Sequence, residues 1–199
     1  MKKFLIMICF TLISVCSVGC SAENSTKMYI ETAQLTDEEK GITELLGIDK
    51  NYDIYDFKLD DNVKSININL YELVDGAWEK LSGGGYYAFD NSKGRIALGF
   101  DRIGDGMTIA IQSEDGVSST SHDSDIENED NLGLTTSKLS EKKEIVYEEE
   151  IPLAIQIATS KNEISSYVVD YFYQPEEYEK FDYEHVYAIT VEFSQNTIE

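Results

Sequence analysis

The chain has 199 residues, with 38 acidic side chains against 16 lysines and arginines, and its formal net charge is −22. This charge excludes nucleic acid as an expected partner, because affinity for nucleic acid comes from basic side chains that neutralise phosphates. The charge also disfavours anionic surfaces and favours solubility, cations or a basic partner. The length is typical of a single domain that follows a short leader.

The first twenty residues have the pattern of an export signal. A basic start precedes an apolar run over residues 4–18, which is shorter than the roughly 20 residues of a membrane span. The following Gly19 and Cys20 resemble the lipobox of bacterial lipoproteins. This resemblance implies that residues 1–19 are a signal peptide and that Cys20 carries a diacylglyceryl group. The protein would then be exported and anchored by lipid to the outer face of the cell membrane. Cleavage by ordinary signal peptidase after Ala22 is the alternative.

Cysteine usage agrees with an exported chain that needs no disulfide. The three cysteines are Cys9, Cys16 and Cys20, and cleavage before Cys20 removes the first two. The mature chain would therefore lack an internal disulfide, a cysteine-based zinc site and a thiol nucleophile. The absence of other cysteines is typical of exported proteins of Gram-positive bacteria.

The start of the mature chain predicts a tether followed by one helix. Residues 20–35 are expected to form the lipidated N-terminus and tether, and residues 36–199 a single β-rich domain. Thr36 and Glu39 have the spacing of a capping box, and Gly47 is the residue type that ends a helix. The pattern predicts a short helix over residues 37–46.

From Tyr52 onward, apolar residues recur with a period of two. This alternation predicts strands with one buried and one wet face, around residues 66–70, 96–100, 107–111, 151–157, 167–173 and 187–193. Glycine-rich turn signals separate the runs and favour antiparallel hairpins. The expected fold is a mainly β protein, an antiparallel β-sandwich of about eight or nine strands with a short N-terminal helix.

The strand pattern also bears on three local details: the register of one hairpin, which stays open, the role of Pro152, and the two faces of the last strand. At Asp75-Gly76, a two-residue loop would place Glu72 opposite Glu79, whereas a three-residue loop would place Glu72 opposite Lys80. Pro152 predicts an edge or a bulge. In the last strand the period predicts that the side of Val191 is buried and that the side of Thr190 faces solvent.

Residues 113–143 interrupt the alternation with serine, aspartate, glutamate and asparagine. This composition predicts a long polar, acidic loop. Within the loop, residues 121–130 could offer oxygen ligands to calcium, although the spacing of an EF-hand is missing. No other metal or cofactor is predicted, and His122 and His185 lack metal-ligand spacing.

Aromatic residues provide the candidates for ligand binding. Tyr178, Phe181 and Tyr183 lie where charges interrupt the strand pattern, and Trp78 belongs to a second aromatic group. Exposed aromatic faces could bind a sugar or a peptide, because they offer a large contact area at low entropy cost. The alternative is that these residues pack against the sheet as ordinary strand formers.

The remaining evidence on function is a loose resemblance. The run over residues 72–79 is similar to uncharacterised secreted lipoproteins of Gram-positive bacteria, and this resemblance implies no activity. No catalytic signature is found. We therefore expect an extracellular binding or interaction module for a glycan, a peptide or a basic protein. A hydrolase acting on wall glycan or peptide is the alternative.

Overall fold

The structure is a computed structural model that describes residues 27–48, 52–123, 132–165 and 167–197. These residues form two packed antiparallel sheets, which confirms the predicted β-sandwich. The strands are β1 (Tyr29–Thr32), β2 (Tyr52–Lys58), β3 (Ser65–Val74), β4 (Ala77–Ala88), β5 (Lys93–Gly99), β6 (Gly106–Ser113), β7 (Gly116–Asp123), β8 (Gly133–Lys138), β9 (Lys143–Glu144), β10 (Glu150–Thr159) and β11 (His185–Ser194). The helices are α1 (Asp37–Leu46), α2 (Glu176–Glu179) and two 3₁₀ helices, Ile103–Asp105 and Val169–Tyr173.

One sheet has six strands in the order β7-β6-β5-β2-β1-β9, and the other has five in the order β4-β3-β11-β10-β8. The alternating apolar residues of both sheets point inward and form the main core, as the period of two requires. The largest fully buried members include Tyr55, Ile96, Leu98 and Ile109 from the first sheet and Ile66, Ile68, Leu153 and Phe193 from the second.

Helix α1 has the predicted bounds and the predicted caps. The Thr36 hydroxyl accepts a hydrogen bond from the Glu39 amide, the Glu39 carboxylate accepts one from the Thr36 amide, and Gly47 adopts the left-handed conformation. Its apolar residues, by contrast, are exposed rather than packed on a sheet. The helix is therefore stabilised mainly by its ends and by an ion pair between Glu39 and Arg95.

The β3–β4 hairpin has the two-residue loop. Glu72 lies opposite Glu79 and Val74 opposite Ala77. Asp75 and Gly76 both have positive φ, at 48° and 77°, as a type I′ turn requires. The turn preference of the dipeptide thus outweighs the mild repulsion between the two glutamates.

The structure corrects two predicted boundaries. Residues 29–32 are strand β1 and lie inside the six-stranded sheet, so the domain begins before residue 36 and the tether is shorter than predicted. Residues 113–143 contain β7 and β8 and are not one long loop. β7 is an edge strand whose serines and threonines are mostly exposed, so the apolar alternation that marks a strand is missing.

A further correction concerns residues 167–173, which form two irregular residues and a 3₁₀ helix instead of a strand. Together with α2 they form a cover, defined here as residues 167–183, over the outer face of the five-stranded sheet. Side chains of this cover pack with those of β3, β4, β10 and β11 in a second apolar cluster, whose buried members are Ile155, Ile157, Phe172, Tyr178, Val186 and Ala188.

Because of the cover and its surroundings, both faces of β11 are buried. Val191 faces the main core as predicted, but Thr190 on the opposite face is also 0% exposed, so its predicted contact with solvent is wrong. Pro152 does mark a bulge, because the pairing of β10 with β11 shifts register between Pro152 and Ala154.

Candidate functional site

The aromatic residues predicted to bind a ligand mostly pack against one another. Tyr178 is buried, which corrects its predicted exposure, and its ring lies edge-on to Trp78 with centroids 6.3 Å apart. The half-buried Trp78 stacks on Phe172 at 5.2 Å, and its indole N–H donates to the Phe172 carbonyl at 2.8 Å. These contacts hold the cover on the sheet. A role of the half-buried Trp78 in ligand binding stays a prediction.

Phe181 and Tyr183 form a half-buried stack with centroids 5.3 Å apart at the end of the cover. The Tyr183 hydroxyl accepts a hydrogen bond from the Ser165 amide at 2.9 Å. Both rings pack within the second cluster or against its members. A role of this pair in ligand binding stays a prediction.

A different feature stands out on the outer face of the five-stranded sheet, beside the cover. Here four neighbouring strands bring polar side chains together in register. Glu150 of β10 lies opposite Glu192 of β11, which lies opposite Asn67 of β3, which lies opposite Tyr86 of β4. We define the carboxylate–amide cluster as six residues of this face: Asn67, Asn69, Tyr71, Glu150, Thr190 and Glu192.

Glu150 is the centre of the hydrogen bonds in this cluster. Its Oε1 accepts from the amide of Asn69 at 2.6 Å, from the hydroxyl of Tyr71 at 2.5 Å and from the hydroxyl of Thr190 at 3.3 Å. Glu192 accepts from the amide of Asn67 at 2.7 Å. All four donors are neutral groups, so hydrogen bonds stabilise these carboxylates without compensating their charge.

The two asparagines are unusually enclosed for residues on an outer face. Asn67 is 7% exposed and Asn69 is 2% exposed. Each donates its amide nitrogen to a carboxylate, but each amide oxygen is buried without a hydrogen-bond partner. A buried acceptor without a hydrogen-bond partner destabilises the folded state by about 1–3 kcal/mol, and the cluster contains two such oxygen atoms.

The cluster also shifts the ionisation of Tyr71. Burial, the hydrogen bond to Glu150 and the nearby charge of Glu192 raise the pKa of the Tyr71 hydroxyl well above its usual value. The phenol therefore stays protonated and remains a donor to Glu150 at all physiological pH values.

Two exposed tyrosines border the cluster. Tyr86 is 61% exposed, and the ammonium of Lys80 lies 5.5 Å from the centre of its ring. Tyr173 is 58% exposed and donates from its hydroxyl to the Glu150 carbonyl at 2.7 Å. The face thus combines hydrogen-bonding groups with accessible aromatic rings, which is the combination that a polar ligand needs.

The outer face of the six-stranded sheet has a groove of about 450 Å³, lined by residues that include Tyr29, Asp56 and Arg95. Several of its charged groups already have partners. Arg95 contacts Asp56 at 2.7 Å and Glu39 at 2.5 Å. The amide of Thr36 and the guanidinium of Arg95 hold the pKa of Glu39 at about 2. A ligand in this groove would have to replace these ion pairs.

The two histidines lie on strands of different sheets. His185 begins β11, as expected, and its Nδ1 lies 2.8 Å from the Glu72 carboxylate. His122 lies on β7. Among the residues that the structure describes, no group of three or more histidine, cysteine or acidic side chains could hold a metal ion. Of the proposed calcium segment only residues 121–123 are described, so that prediction stays open.

The family of the chain follows from its C-terminal half. Residues 90–193, just over half of the chain, match the family model of the YgaN domain. The chain belongs to the YgaN domain family. The YgaN match begins before β5 and ends within β11, so it contains Glu150, Thr190 and Glu192 but not the β3 part of the cluster. No curated protein and no solved structure matches the chain.

Cys20 and the preceding residues that resemble a lipobox lie outside the described residues. Within those that are described, no helix is long and apolar enough to span a membrane. Sequence reasoning missed the carboxylate–amide cluster because Asn67 and Asn69 alternate with apolar residues, as on an ordinary wet face. The only signal was the choice of asparagine, a poor strand former, at two alternating positions of one strand.

Proposed function

We propose that this protein is an exported lipoprotein that binds an extracellular ligand at the uncovered part of its five-stranded sheet. The anchor would be Cys20 at the outer face of the membrane. Residues 21–28 separate Cys20 from β1, and eight residues span at most about 28 Å. Such a short connection would hold the sandwich close to the membrane surface, where wall components are accessible.

The observation that carries the proposal is the carboxylate–amide cluster with Tyr86 and Tyr173 at its border. Carboxylate oxygens accept hydrogen bonds from hydroxyl groups, and the exposed rings can stack on a sugar. Acidic groups would repel anionic wall polymers. We therefore favour a neutral or cationic glycan as the ligand.

The carboxyl groups whose pKa is displaced are held in the ionised form. A hydrolase of glycans uses a carboxylic acid whose pKa is raised. Among the described carboxyl groups with a displaced pKa, all three are displaced downwards. Glu39 is one. Hydrogen bonds from the hydroxyls of Ser160 and Thr159 hold the pKa of Glu184 at about 2. For Asp60, burial acts in the opposite direction, but hydrogen bonds led by that of Tyr147 lower the pKa.

The anchoring part is tested by Cys20→Ala in the native host. The variant should leave the membrane fraction or accumulate as an unprocessed precursor, and mass spectrometry of the wild-type N-terminus should find a lipid on Cys20. A mature wild-type chain that begins at Glu23 without lipid would refute the anchor.

The binding part is tested by capture of purified wall glycans with the complete mature protein in detergent. Tyr86→Ala should reduce capture at least about tenfold, because stacking on an exposed ring is lost. Tyr29→Ala is the matched control, since Tyr29 lies in the groove of the other sheet. A loss with Tyr29→Ala alone would move the site to that groove. If the protein captures a basic peptide but no glycan, the ligand is a basic peptide and the proposed glycan is wrong.

A further inference from the structure

Strand β7 ends the six-stranded sheet without the features that normally protect an edge strand. Its eight residues pair with β6 in an unbroken register, from Ser113 opposite Gly116 to Gly106 opposite Asp123. Edge strands in natural proteins are usually very short, bulged, or supplied with lysine or proline, because unpaired N–H and C=O groups otherwise attract another strand. β7 has no bulge and contains no lysine, arginine or proline.

The other three edges of the described sandwich have such protection. Strand β9 has only two residues. Strand β4 contains Lys80, and its pairing with β3 shifts register between Ile68 and Leu70. Strand β8 ends at Lys138, whose ammonium lies 2.8 Å from the carboxylate of Asp53 in the other sheet. β7 is therefore the exception among the four edges.

The edge of β7 is also accessible and nearly neutral. Six of its eight residues are exposed. Strand β4 lies near β7, but in the described part of the chain only β6 forms a ladder with it. The chain as a whole has a net charge of −22, yet Asp123 is the one acidic residue of β7. A second strand can therefore approach this edge with little charge repulsion.

The register of the β6–β7 hairpin defines which backbone groups of β7 face outward. Ser113 and Gly116 flank a two-residue loop, so they form a hydrogen-bonded pair. Hydrogen-bonded and non-hydrogen-bonded pairs alternate along an antiparallel ladder. Every second residue from Gly116 therefore bonds to β6. The residues whose N–H and C=O groups point away from β6 are Val117, Ser119, Ser121 and Asp123.

We infer that the free edge of β7 pairs with the same edge of a second copy of this chain, antiparallel about a two-fold axis at Thr120. In this register Val117 lies opposite Asp123 of the second copy, and Ser119 lies opposite Ser121 of the second copy. All four outward residues of each strand then form hydrogen-bonded pairs, with about eight hydrogen bonds in total. Thr120 faces Thr120 of the second copy, and cross-strand threonine pairs are favourable.

The edge is complementary to itself in charge as well as in hydrogen bonding. The two copies of Asp123 would lie at opposite ends of the paired strands, about 20 Å apart. This separation exceeds the screening length of about 8 Å at physiological ionic strength. A two-fold contact also uses the edge in both copies at once, so it closes as a dimer and leaves no edge for a growing fibre.

The dimer does not depend on the proposed ligand or on the lipid anchor. The carboxylate–amide cluster lies on the other sheet, so failure of glycan capture leaves the β7 contact untouched. Cysteine cross-linking can test the contact, because neither predicted form of the mature chain has a free thiol. Cleavage before Cys20 leaves that sulfur acylated, and cleavage after Ala22 removes it.

The test is oxidation of Thr120→Cys in the complete mature protein, purified in detergent. Paired Cα atoms at a non-hydrogen-bonded position lie about 4.5 Å apart, within the range of a disulfide. We expect a disulfide-linked dimer on a non-reducing gel, and none from the wild type. Ser118→Cys is the matched control on the same face of β7. Its Cα would lie about 14 Å from its copy, so it should cross-link at least about tenfold more slowly.

A second substitution tests whether the outward backbone groups are used. Ser119→Pro removes an outward N–H but no hydrogen bond to β6, which an edge strand tolerates. Added to Thr120→Cys, it should suppress most of the cross-linked dimer while circular dichroism shows a folded protein. Ser119→Lys serves the same purpose if the proline variant does not fold, because it places like charges close together across the two-fold axis.

Either of two results would overturn the inference. One is a folded Thr120→Cys variant that cross-links no faster than Ser118→Cys, in which case another segment or another protein covers the edge, or the edge stays unpaired. The other is cross-linking of Thr120→Cys that persists unchanged in the folded double variants. The cysteines would then meet by collision and not through paired strands.

Discussion

Phe172→Ala is the sharpest test of whether the cover is part of the fold. Phe172 is 8% exposed and packs on Trp78 at 5.2 Å and on Tyr71 at 5.8 Å. Truncation of a buried phenylalanine costs about 3–5 kcal/mol, which includes the cavity that the ring leaves. We expect a loss near the lower end, about 3 kcal/mol, because the cavity lies near the surface and can partly collapse.

Trp78 makes this measurement direct, because it is the only tryptophan in the chain. Urea unfolding of the complete mature protein would be followed by Trp78 emission and by far-ultraviolet circular dichroism. The two transitions should coincide in the wild type if the cover unfolds together with the sandwich. In Phe172→Ala the emission should shift to the red even before unfolding, since the stacking partner of the indole is gone.

Tyr173→Ala is the matched control for this experiment. Tyr173 is the next residue, is 58% exposed, and donates one hydrogen bond to the Glu150 carbonyl. Its loss should cost about 1 kcal/mol. If Phe172→Ala costs no more than Tyr173→Ala, the cover is not a structural layer. Its aromatic residues would then again be candidates for a free binding surface.

Three further predictions follow from particular contacts. Val191→Asp and Thr190→Asp should each cost more than about 3 kcal/mol in the same unfolding experiment, because both side chains are fully buried; a silent Thr190→Asp would mean that its face is solvated. Gly76→Ala should cost about 1–2 kcal/mol, because φ is 77° and an added Cβ would lie 2.0 Å from Glu179 Oε1; an unchanged midpoint would refute the turn geometry. Glu184 has a pKa of about 2 in the folded protein and about 4.3 when unfolded. Its ionised form therefore stabilises the fold above about pH 4, and this stabilisation is lost as the pH falls towards 2. In Glu184→Gln the melting temperature should therefore change less with pH over that interval than in the wild type. Equal slopes of melting temperature against pH would contradict the low pKa of Glu184.

The sequence was sufficient for those parts of the fold that depend on local rules. The capping box at Thr36 and Glu39 placed helix α1, and the alternation around Ile189 placed β11. The dipeptide Asp75-Gly76 specified its turn, although the charges of the flanking strands pointed to the other register. In each case neighbours within a few residues determine the structure.

The parts that the sequence did not predict depend on distant contacts. β1 has only four residues and is held in the sheet by pairing with β2 and β9, which are distant in the sequence. Alternation reports that one face of a strand is buried, but it does not report what covers the other face. Thr190 and Tyr178 were therefore expected in solvent, although the cover and its neighbours enclose both.

The candidate site lies where the cover ends, because the cover packs on only part of the outer face of the five-stranded sheet. Over most of its length the cover places aromatic rings on apolar side chains of the sheet in the second cluster. At the boundary, Tyr71 belongs to both environments: its ring packs on Phe172, and its hydroxyl reaches Glu150. Beyond this residue the sheet presents asparagine, threonine and glutamate, which are enclosed by their neighbours but not shielded by an apolar layer. Polar groups that are buried yet incompletely paired arise at such a boundary, and they gain most from a ligand that supplies the missing partner. Glu150 and Glu192 lie at this boundary, in the same row of residues as the exposed ring of Tyr86.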